Sequence, residues 1–206
     1  MAYIVYTAIS AVFLALYDLF KKISVKDKKD IYEVLLFFCF ISFVCSAFFV
    51  NKAFNIGIKY ILFLLIKSVI IALSWFFTTK AMSKLDMSIV VPFTLLGTVT
   101  TTILASIFFK ESIGFSQVFG IIAILIGLFF LSRLREKEEY FKNDYKYLFL
   151  LVLAAFLSSI SAIIDRYLLL DIDRGAVLFW FFLFLSWIYF IIRRLVTVMH
   201  LYLLFL

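Results

Sequence analysis

Residues 74–132 read SWFFTTKAMSKLDMSIVVPFTLLGTVTTTILASIFFKESIGFSQVFGIIAILIGLFFLS. Their apolar residues fill parts of three segments, each with about the 20 residues that an α-helix needs to cross a bilayer. The few charged residues of this stretch lie in the short linkers between the segments. The pattern predicts membrane-spanning helices that are joined by tight connections.

The same pattern extends along the whole chain of 206 residues. Apolar segments alternate with polar linkers and predict seven spans, at residues 3–20, 31–50, 58–79, 87–109, 115–131, 147–169 and 177–192. The first span has no basic segment before it, so we interpret it as a retained helix and not as a cleaved signal. The apolar tail 195–206 reaches only about 18 Å as a helix, short of the ~30 Å hydrocarbon core. We therefore expect the chain to stop within an unfinished structure.

Composition separates this chain from soluble proteins. Hydrophobic residues make up 66% and charged residues 16% of it, whereas soluble domains have about 45–50% apolar and about 25% charged residues. These values predict an all-α integral membrane protein. The formal charge of +7 does not indicate a nucleic-acid partner, because most basic residues lie in short loops, where they set membrane topology.

The sequence carries no pattern typical of an enzyme, a metal site or a cofactor site. Cys39 and Cys45 point to different faces of one predicted helix, so we expect them to pack and not to form a disulfide. His200 stands in the apolar tail without a second metal ligand near it. The chain lacks the motifs of catalytic nucleophiles and of phosphate-binding loops. We therefore expect no enzymatic activity, no cofactor and no metal.

A charged linker at residues 133–146 divides the chain into two parts, 1–132 and 147–206. A shift of 147 residues matches identical residues on two helices, namely Ala15 with Ala162, Asp18 with Asp165, Leu36 with Leu183, Phe37 with Phe184, Ile41 with Ile188, and Phe43 with Phe190. Two separate helices that agree on one offset indicate an internal repeat. Because each repeat has five spans, an odd number, the second repeat is inserted in the membrane with the opposite orientation to the first, as in many secondary transporters.

Landmarks within residues 80–120 follow one order. A small and polar run leads into a span with the only proline, Pro92; Glu111 follows that span, and Gln117-Val118-Phe119-Gly120 opens the next one. This order resembles helices four and five of an EamA-type repeat in the drug/metabolite transporter superfamily, which has an early proline, a closing glutamate and an opening Gln-x-x-Gly. The resemblance implies a multi-span bundle of inverted five-helix repeats, of which the second, at 147–206, is incomplete.

The resemblance also implies a secondary transporter. Such a protein would move small metabolites, amino acids or amphiphilic compounds across the inner or plasma membrane by alternating access, driven by a proton or solute gradient. The expected partners are the lipid bilayer, a small-molecule solute and a coupling proton. Three alternatives stay open: an inactive truncated fragment, a homodimer in which two chains share one cavity, and a membrane scaffold without transport activity.

Loop charges and the resemblance imply opposite orientations in the membrane. The loops after odd-numbered spans hold fourteen Lys and Arg residues, and the other loops, together with the span ends that adjoin them, hold five. The positive-inside rule therefore places the N-terminus outside, whereas relatives of this kind are described with the N-terminus in the cytoplasm. A bias of this size also argues against dual insertion as an antiparallel homodimer.

Charged side chains inside the predicted spans cost about 2.5–3.5 kcal/mol each on insertion scales and mark functional sites. Asp18, its repeat equivalent Asp165, and Lys67 occupy such positions. We expect them to line a polar cavity that binds a zwitterionic solute or relays a proton. Polar and aromatic residues on or beside the same helix faces extend this expected cavity: Ser74, Trp75, Thr78, Ser158 and Ser161.

These residues also have plainer interpretations. Asp18 lies four residues before Lys22 and could pair with it at the membrane surface. Asp165 is close to its helix end, and Lys67 could extend its ammonium group to the interface. Trp75 could pack against lipid or a neighbouring helix.

The fourth and fifth predicted spans carry candidates for structural or gating roles. Pro92 removes one backbone hydrogen bond and should kink its helix. Glu111 would face the positive end of the next helix dipole, and Gly120 and Gly127 should permit close helix contact. The threonines of the fourth span either line a transport path or bond to carbonyls of their own helix; the candidates are Thr94, Thr98 and Thr101.

Overall fold

The computed structural model describes residues 2–26, 30–48, 56–135 and 145–204. These ranges contain no strand and seven α-helices: α1 (Ala2–Lys26), α2 (Ile31–Ala47), α3 (Ile58–Met82), α4 (Met87–Phe109), α5 (Phe115–Arg135), α6 (Tyr145–Asp171) and α7 (Arg174–Leu204). Four of them, α3, α4, α6 and α7, are long and apolar enough to cross a membrane, while α2 and the 115–130 part of α5 are apolar but shorter. The prediction of an all-α membrane bundle is confirmed.

Helix α6 lies between α3 and α4, and α7 packs against both α2 and α3. Helices α1 and α5 make fewer contacts with the rest of the bundle, and most of their described side chains are exposed. The larger buried cluster joins α2, α3, α6 and α7 around Leu35, Leu64, Leu168, Leu185 and Tyr189. The bundle is therefore centred on α3, α6 and α7, and it is their shared contacts that position the polar residues.

Helix boundaries differ from the prediction mainly at α7. Its backbone stays helical past Arg193 and Arg194 to Leu204, although the predicted span ended at residue 192. The physical reason is that no Pro or Gly interrupts residues 193–204. At the predicted linker 133–146, α5 continues to Arg135 and α6 begins at Tyr145, and residues 136–144 lie outside the described part. The division into two repeats stays a prediction.

Helices α2 and α7 cross in opposite directions. Glu33 near the start of α2 pairs with Arg193 late in α7 at 3.0 Å, whereas Phe43 near the end of α2 lies 5.4 Å from Phe179 early in α7. At this crossing, residues related by the shift of 147 line one groove from opposite sides: Leu36 with Leu183, Phe40 with Trp187, and Phe43 with Phe190. The inverted repeat itself stays a prediction.

Helices α4 and α6 approach closely at Gly97. A Cβ atom there would lie 3.7 Å from the carbonyl oxygen of Ala155. Ser159 donates to the Gly97 carbonyl at 3.0 Å, and its hydroxyl also bonds to that of Thr100. This contact combines a small residue with interhelical hydrogen bonds, the means by which helices associate in lipid.

The close contact that we expected at Gly120 and Gly127 is not found in the described structure. A Cβ atom at either position would meet no atom within 4 Å, because both glycines lie on α5 at the edge of the bundle. The glycine that serves a close helix contact is Gly97, on α4.

We predict that Gly97→Leu destabilises the bundle by about 1–3 kcal/mol, because the larger side chain overpacks the α4–α6 contact. Gly127→Leu is the matched control, since open space surrounds that position, and it should leave stability unchanged. The stability of both variants is measured by heating them in detergent micelles and determining the folded fraction by size-exclusion chromatography. Equal stability of the two variants would contradict the α4–α6 packing described above.

Candidate functional site

A groove of about 320 Å³ lies between α6 and the start of α7, with α3 as its floor. We name it the α6–α7 groove. Its lining combines two cations and one carboxylate with apolar residues and one serine: Lys67, Ile71, Ser161, Asp165, Leu169, Arg174, Val177, Leu178 and Phe181. An apolar groove with a few convergent charges is the usual form of a small-molecule site.

Lys67 and Asp165 form an ion pair in this groove. The lysine is only 4% exposed, whereas the side chain of Asp165 is 35% exposed. The Lys67 ammonium also lies 3.8 Å from the centroid of the Phe181 ring, a distance that allows a cation–π interaction. Lys67 therefore does not extend to the membrane surface, and its charge is neutralised inside the bundle.

The depth of the pair follows from helix geometry. Lys67 lies nine residues, or about 14 Å, from the start of α3 at Ile58. Asp165 lies six residues, or about 9 Å, from the end of α6 at Asp171. With a hydrocarbon core of about 30 Å, both groups lie well inside the membrane, where secondary transporters commonly bind their solutes.

The small polar residues expected beside the pair divide into two groups. Ser161 is buried and lines the α6–α7 groove. Ser74 instead donates to the carbonyl of Ala154 at 2.8 Å, and Thr78 donates to the carbonyl of Ser74 at 3.0 Å. Ser158 is exposed on α6. Of these serines and threonines, only Ser161 lines the groove.

Asp18 does not line the α6–α7 groove. It is half-buried on α1 close to Lys21. Lys21 is 3% exposed, and its ammonium lies 5.5 Å from the Trp75 ring centroid and 5.6 Å from that of Tyr17. The structure therefore does not bring the two repeat-related aspartates into one site, contrary to our expectation.

Trp75 lies between the two charged regions. Its ring packs edge-on against Phe181, with the centroids 6.5 Å apart, and Lys21 approaches it from α1. Phe181 in turn contacts the Lys67 ammonium. The two aromatic rings thus separate the Lys67–Asp165 pair from Lys21.

The expected gating residues of α4 have local roles in the described structure. Pro92 lies inside α4, which stays one continuous helix from Met87 to Phe109. Thr94 is exposed and donates to the Val91 carbonyl at 2.7 Å. Thr98 is exposed and Thr101 is half-buried. None of these three threonines lines the α6–α7 groove.

Glu111 forms two hydrogen bonds with Arg166, one of them at 2.8 Å. The guanidinium of Arg166 also lies 4.5 Å from the Phe109 ring centroid. These contacts fasten the segment between α4 and α5 to α6, one residue from Asp165. The hydrogen bonds to Arg166 lower the pKa of Glu111, so the pair stabilises at neutral pH and weakens as the pH falls toward that lowered pKa. Both side chains are nearly half exposed, so the effect on stability is small.

Several residues that shape this region were missed by sequence reasoning. Phe181 and Arg174 line the groove, Lys21 is buried against Trp75, and Arg166 holds Glu111. The low hydropathy of the charged residues was visible in the sequence, but their partners lie on other helices. No signal in a single sequence distinguishes Phe181 from the other phenylalanines of α7.

Cys39 is buried and Cys45 exposed, and both are free thiols. Among the described residues, no group of three His, Cys, Asp or Glu side chains could hold a metal ion. The side chain of His200 lies outside the described part.

The exposure of the two partners predicts unequal effects of mutation. Asp165→Asn leaves a buried ammonium without a counter-charge and should cost about 3–5 kcal/mol. Lys67→Met should cost less, because Asp165 is partly exposed. The double variant Lys67→Met/Asp165→Leu should recover most of the loss, since an apolar pair of similar volume is often neutral. Unfolding of each variant in detergent measures these differences in stability. If the loss in the double variant equalled the sum of the two single losses, Lys67 and Asp165 would not be coupled.

Comparison with known proteins agrees with the sequence landmarks. The sequence profile of the EamA-like transporter family matches residues 1–133, which covers α1 to α5 nearly to the end of α5. No curated protein and no solved structure matches the chain. The family match covers more than half of the chain and includes Pro92, Glu111 and the Gln117 to Gly120 motif. The chain is therefore an integral membrane protein that belongs to the EamA-like transporter family, within the drug/metabolite transporter superfamily.

Proposed function

We propose that this chain is a secondary transporter that binds its solute at the Lys67–Asp165 pair and moves it by alternating access. The observation that carries the proposal is the ion pair itself. It joins two helices inside the membrane, at the edge of a groove that is lined by Ile71, Val177 and Leu178. Small metabolites, amino acids or amphiphilic compounds are the expected solutes, and an inner or plasma membrane is the expected location.

The opposite charges of Lys67 and Asp165 favour a solute that carries both a carboxylate and an ammonium group. A solute carboxylate can replace Asp165 as the partner of Lys67, while a solute ammonium replaces Lys67 as the partner of Asp165. Because each buried charge keeps a counter-charge during this exchange, the solute avoids the desolvation cost that a single ion would meet. The apolar walls can then cover the solute's hydrocarbon part.

The two ends of the groove differ, which suits alternating access. Leu169, Arg174 and Leu178 on one side are exposed, so the groove opens there. On the other side, the Phe181–Trp75 contact closes the way to Lys21. Transport requires that this contact opens while the exposed side closes, as in transporters built from inverted repeats.

A coupling proton also has a place in this site. Asp165 is the more accessible partner, so it can take up a proton from the open side. Protonation would remove the carboxylate that pairs with the solute ammonium, so the zwitterion would bind only after Asp165 releases the proton. Proton and solute would thus compete for the same ion pair, which links their movements.

Uptake of radiolabelled leucine into proteoliposomes tests the proposal, because leucine is a zwitterion with a branched apolar side chain. We expect saturable uptake that 4-methylpentanoate and isoamylamine, which each lack one charge, inhibit at least tenfold less well than unlabelled leucine. Asp165→Asn and Lys67→Met should each reduce uptake at least tenfold. Glu33→Gln is the control, since it removes an exposed ion pair outside the groove.

Two results would contradict this function. Full uptake by both groove variants would remove the ion pair from the transport mechanism. No uptake by the wild-type chain of leucine or of a panel of zwitterionic and amphiphilic solutes would favour the non-transporting scaffold or the inactive fragment. A homodimer with a shared cavity would be indicated if uptake depended steeply on the number of chains per vesicle.

A further inference from the structure

A second groove, of about 460 Å³, lies at the crossing of α2 and α7. We name it the α2–α7 groove. It is lined by two aliphatic residues of α7, one of α2, four aromatic residues and one serine: Leu36, Phe40, Phe43, Leu183, Ser186, Trp187, Phe190 and Ile191. No charged residue lines it, so its chemistry differs from that of the Lys67–Asp165 site. Its volume lies within the range of sites for small molecules, about 300–1,000 Å³.

The groove holds a buried hydroxyl group without a partner. Ser186 is 8% exposed, and its Oγ makes no hydrogen bond within the described structure. A serine on a helix usually donates to a carbonyl of its own preceding turn, as Ser68 does to Leu64 at 2.7 Å. A buried hydroxyl that lacks any hydrogen-bond partner destabilises the folded protein.

A second hydrogen-bonding group lies beside it. The side chain of Trp187 is 67% exposed, and within the described structure its indole N–H meets no acceptor. Trp187 lies six residues, or about 9 Å, before Arg193 on α7, so it is inside the hydrocarbon and away from the interface where tryptophan is usual. Neither water nor a lipid tail can accept its hydrogen bond at that depth.

We propose that the α2–α7 groove binds an uncharged, lipid-soluble molecule that carries one carbonyl or hydroxyl oxygen and enters sideways from the bilayer. The oxygen accepts from Trp187 and Ser186, and the apolar body packs against Phe40, Phe43 and Phe190. Phe40 and Phe190 are more than half exposed, so the groove is open toward the lipid. The two grooves share no lining residue, so binding at this site does not depend on whether Lys67 and Asp165 bind a solute.

Photolabelling with benzophenone tests the site, because this probe has a bulky apolar body, one carbonyl acceptor and light-induced reactivity with nearby C–H bonds. The full chain in phosphatidylcholine vesicles is irradiated with increasing benzophenone, and peptides are analysed by mass spectrometry. We expect saturable labelling of residues 36–43 on α2. Reading the label on α2 keeps the measurement separate from the residues of α7 that are changed.

Competitors test the hydrogen bond without any mutation. Dicyclohexyl ketone should displace the label, whereas dicyclohexylmethane, which has the same shape without the oxygen, should do so about three- to tenfold less well, as the loss of one hydrogen bond predicts. Ser186→Ala and Trp187→Phe should each raise the half-saturating benzophenone concentration by a similar factor. Ser106→Ala is the matched control, since that hydroxyl already donates to the Ile103 carbonyl of its own helix at 2.9 Å.

Three outcomes would overturn the proposal. Labelling that rises linearly with benzophenone and spreads over all lipid-facing helices would show ordinary partition into lipid. Equal displacement by the two competitors would show that no hydrogen bond is made. Labelling of residues 36–43 that increases when the protein is diluted in lipid would show that a second copy of the chain covers the groove.

Discussion

The hydrocarbon core of a membrane does not solvate charge or free hydrogen-bonding groups, and this constraint organises the bundle. A lysine inside α3 is stable there only if a carboxylate reaches it, and Asp165 of α6 does so. The pair holds α3 and α6 in one register, and the Phe181 ring of α7 completes the environment of the ammonium. The three helices that form the centre of the bundle are thus the three that surround Lys67.

The same constraint explains why most hydroxyl groups serve the fold and not a solute. Ser74 bonds across to α6 and Ser159 across to α4, while Thr78 and Thr94 bond to their own helices. In water these groups would have free solvent partners, but in lipid each must find a partner within the protein. A polar residue that has none, such as Ser186, is therefore more informative about ligands than the many that are satisfied.

Much of the architecture could be predicted from the sequence, because span length and apolarity are local properties. The helices, their approximate ends and the cost of Lys67 and Asp165 follow from composition along the chain. The contacts between the helices do not follow from composition. Lys67 and Asp165 are 98 residues apart, and nothing in the sequence distinguishes that pairing from one with Asp18. Gly127 and Gly97 are likewise both glycines in apolar helices. Gly97 is in close contact only because α6 packs against it, and the sequence does not show this.

Helix α7 relates the two grooves to the predicted repeat. Val177, Leu178 and Phe181 face the ion pair, while Leu183, Trp187 and Phe190 line the crossing with α2. At that crossing the repeat-related residues meet, so a movement of one repeat against the other would turn α7 about this contact. A rigid helix cannot shift one face without shifting the other. If the proposed transport opens the Phe181–Trp75 contact, it must therefore also displace the residues that line the α2–α7 groove, and a molecule bound there would resist or favour the movement according to which position of α7 it fits.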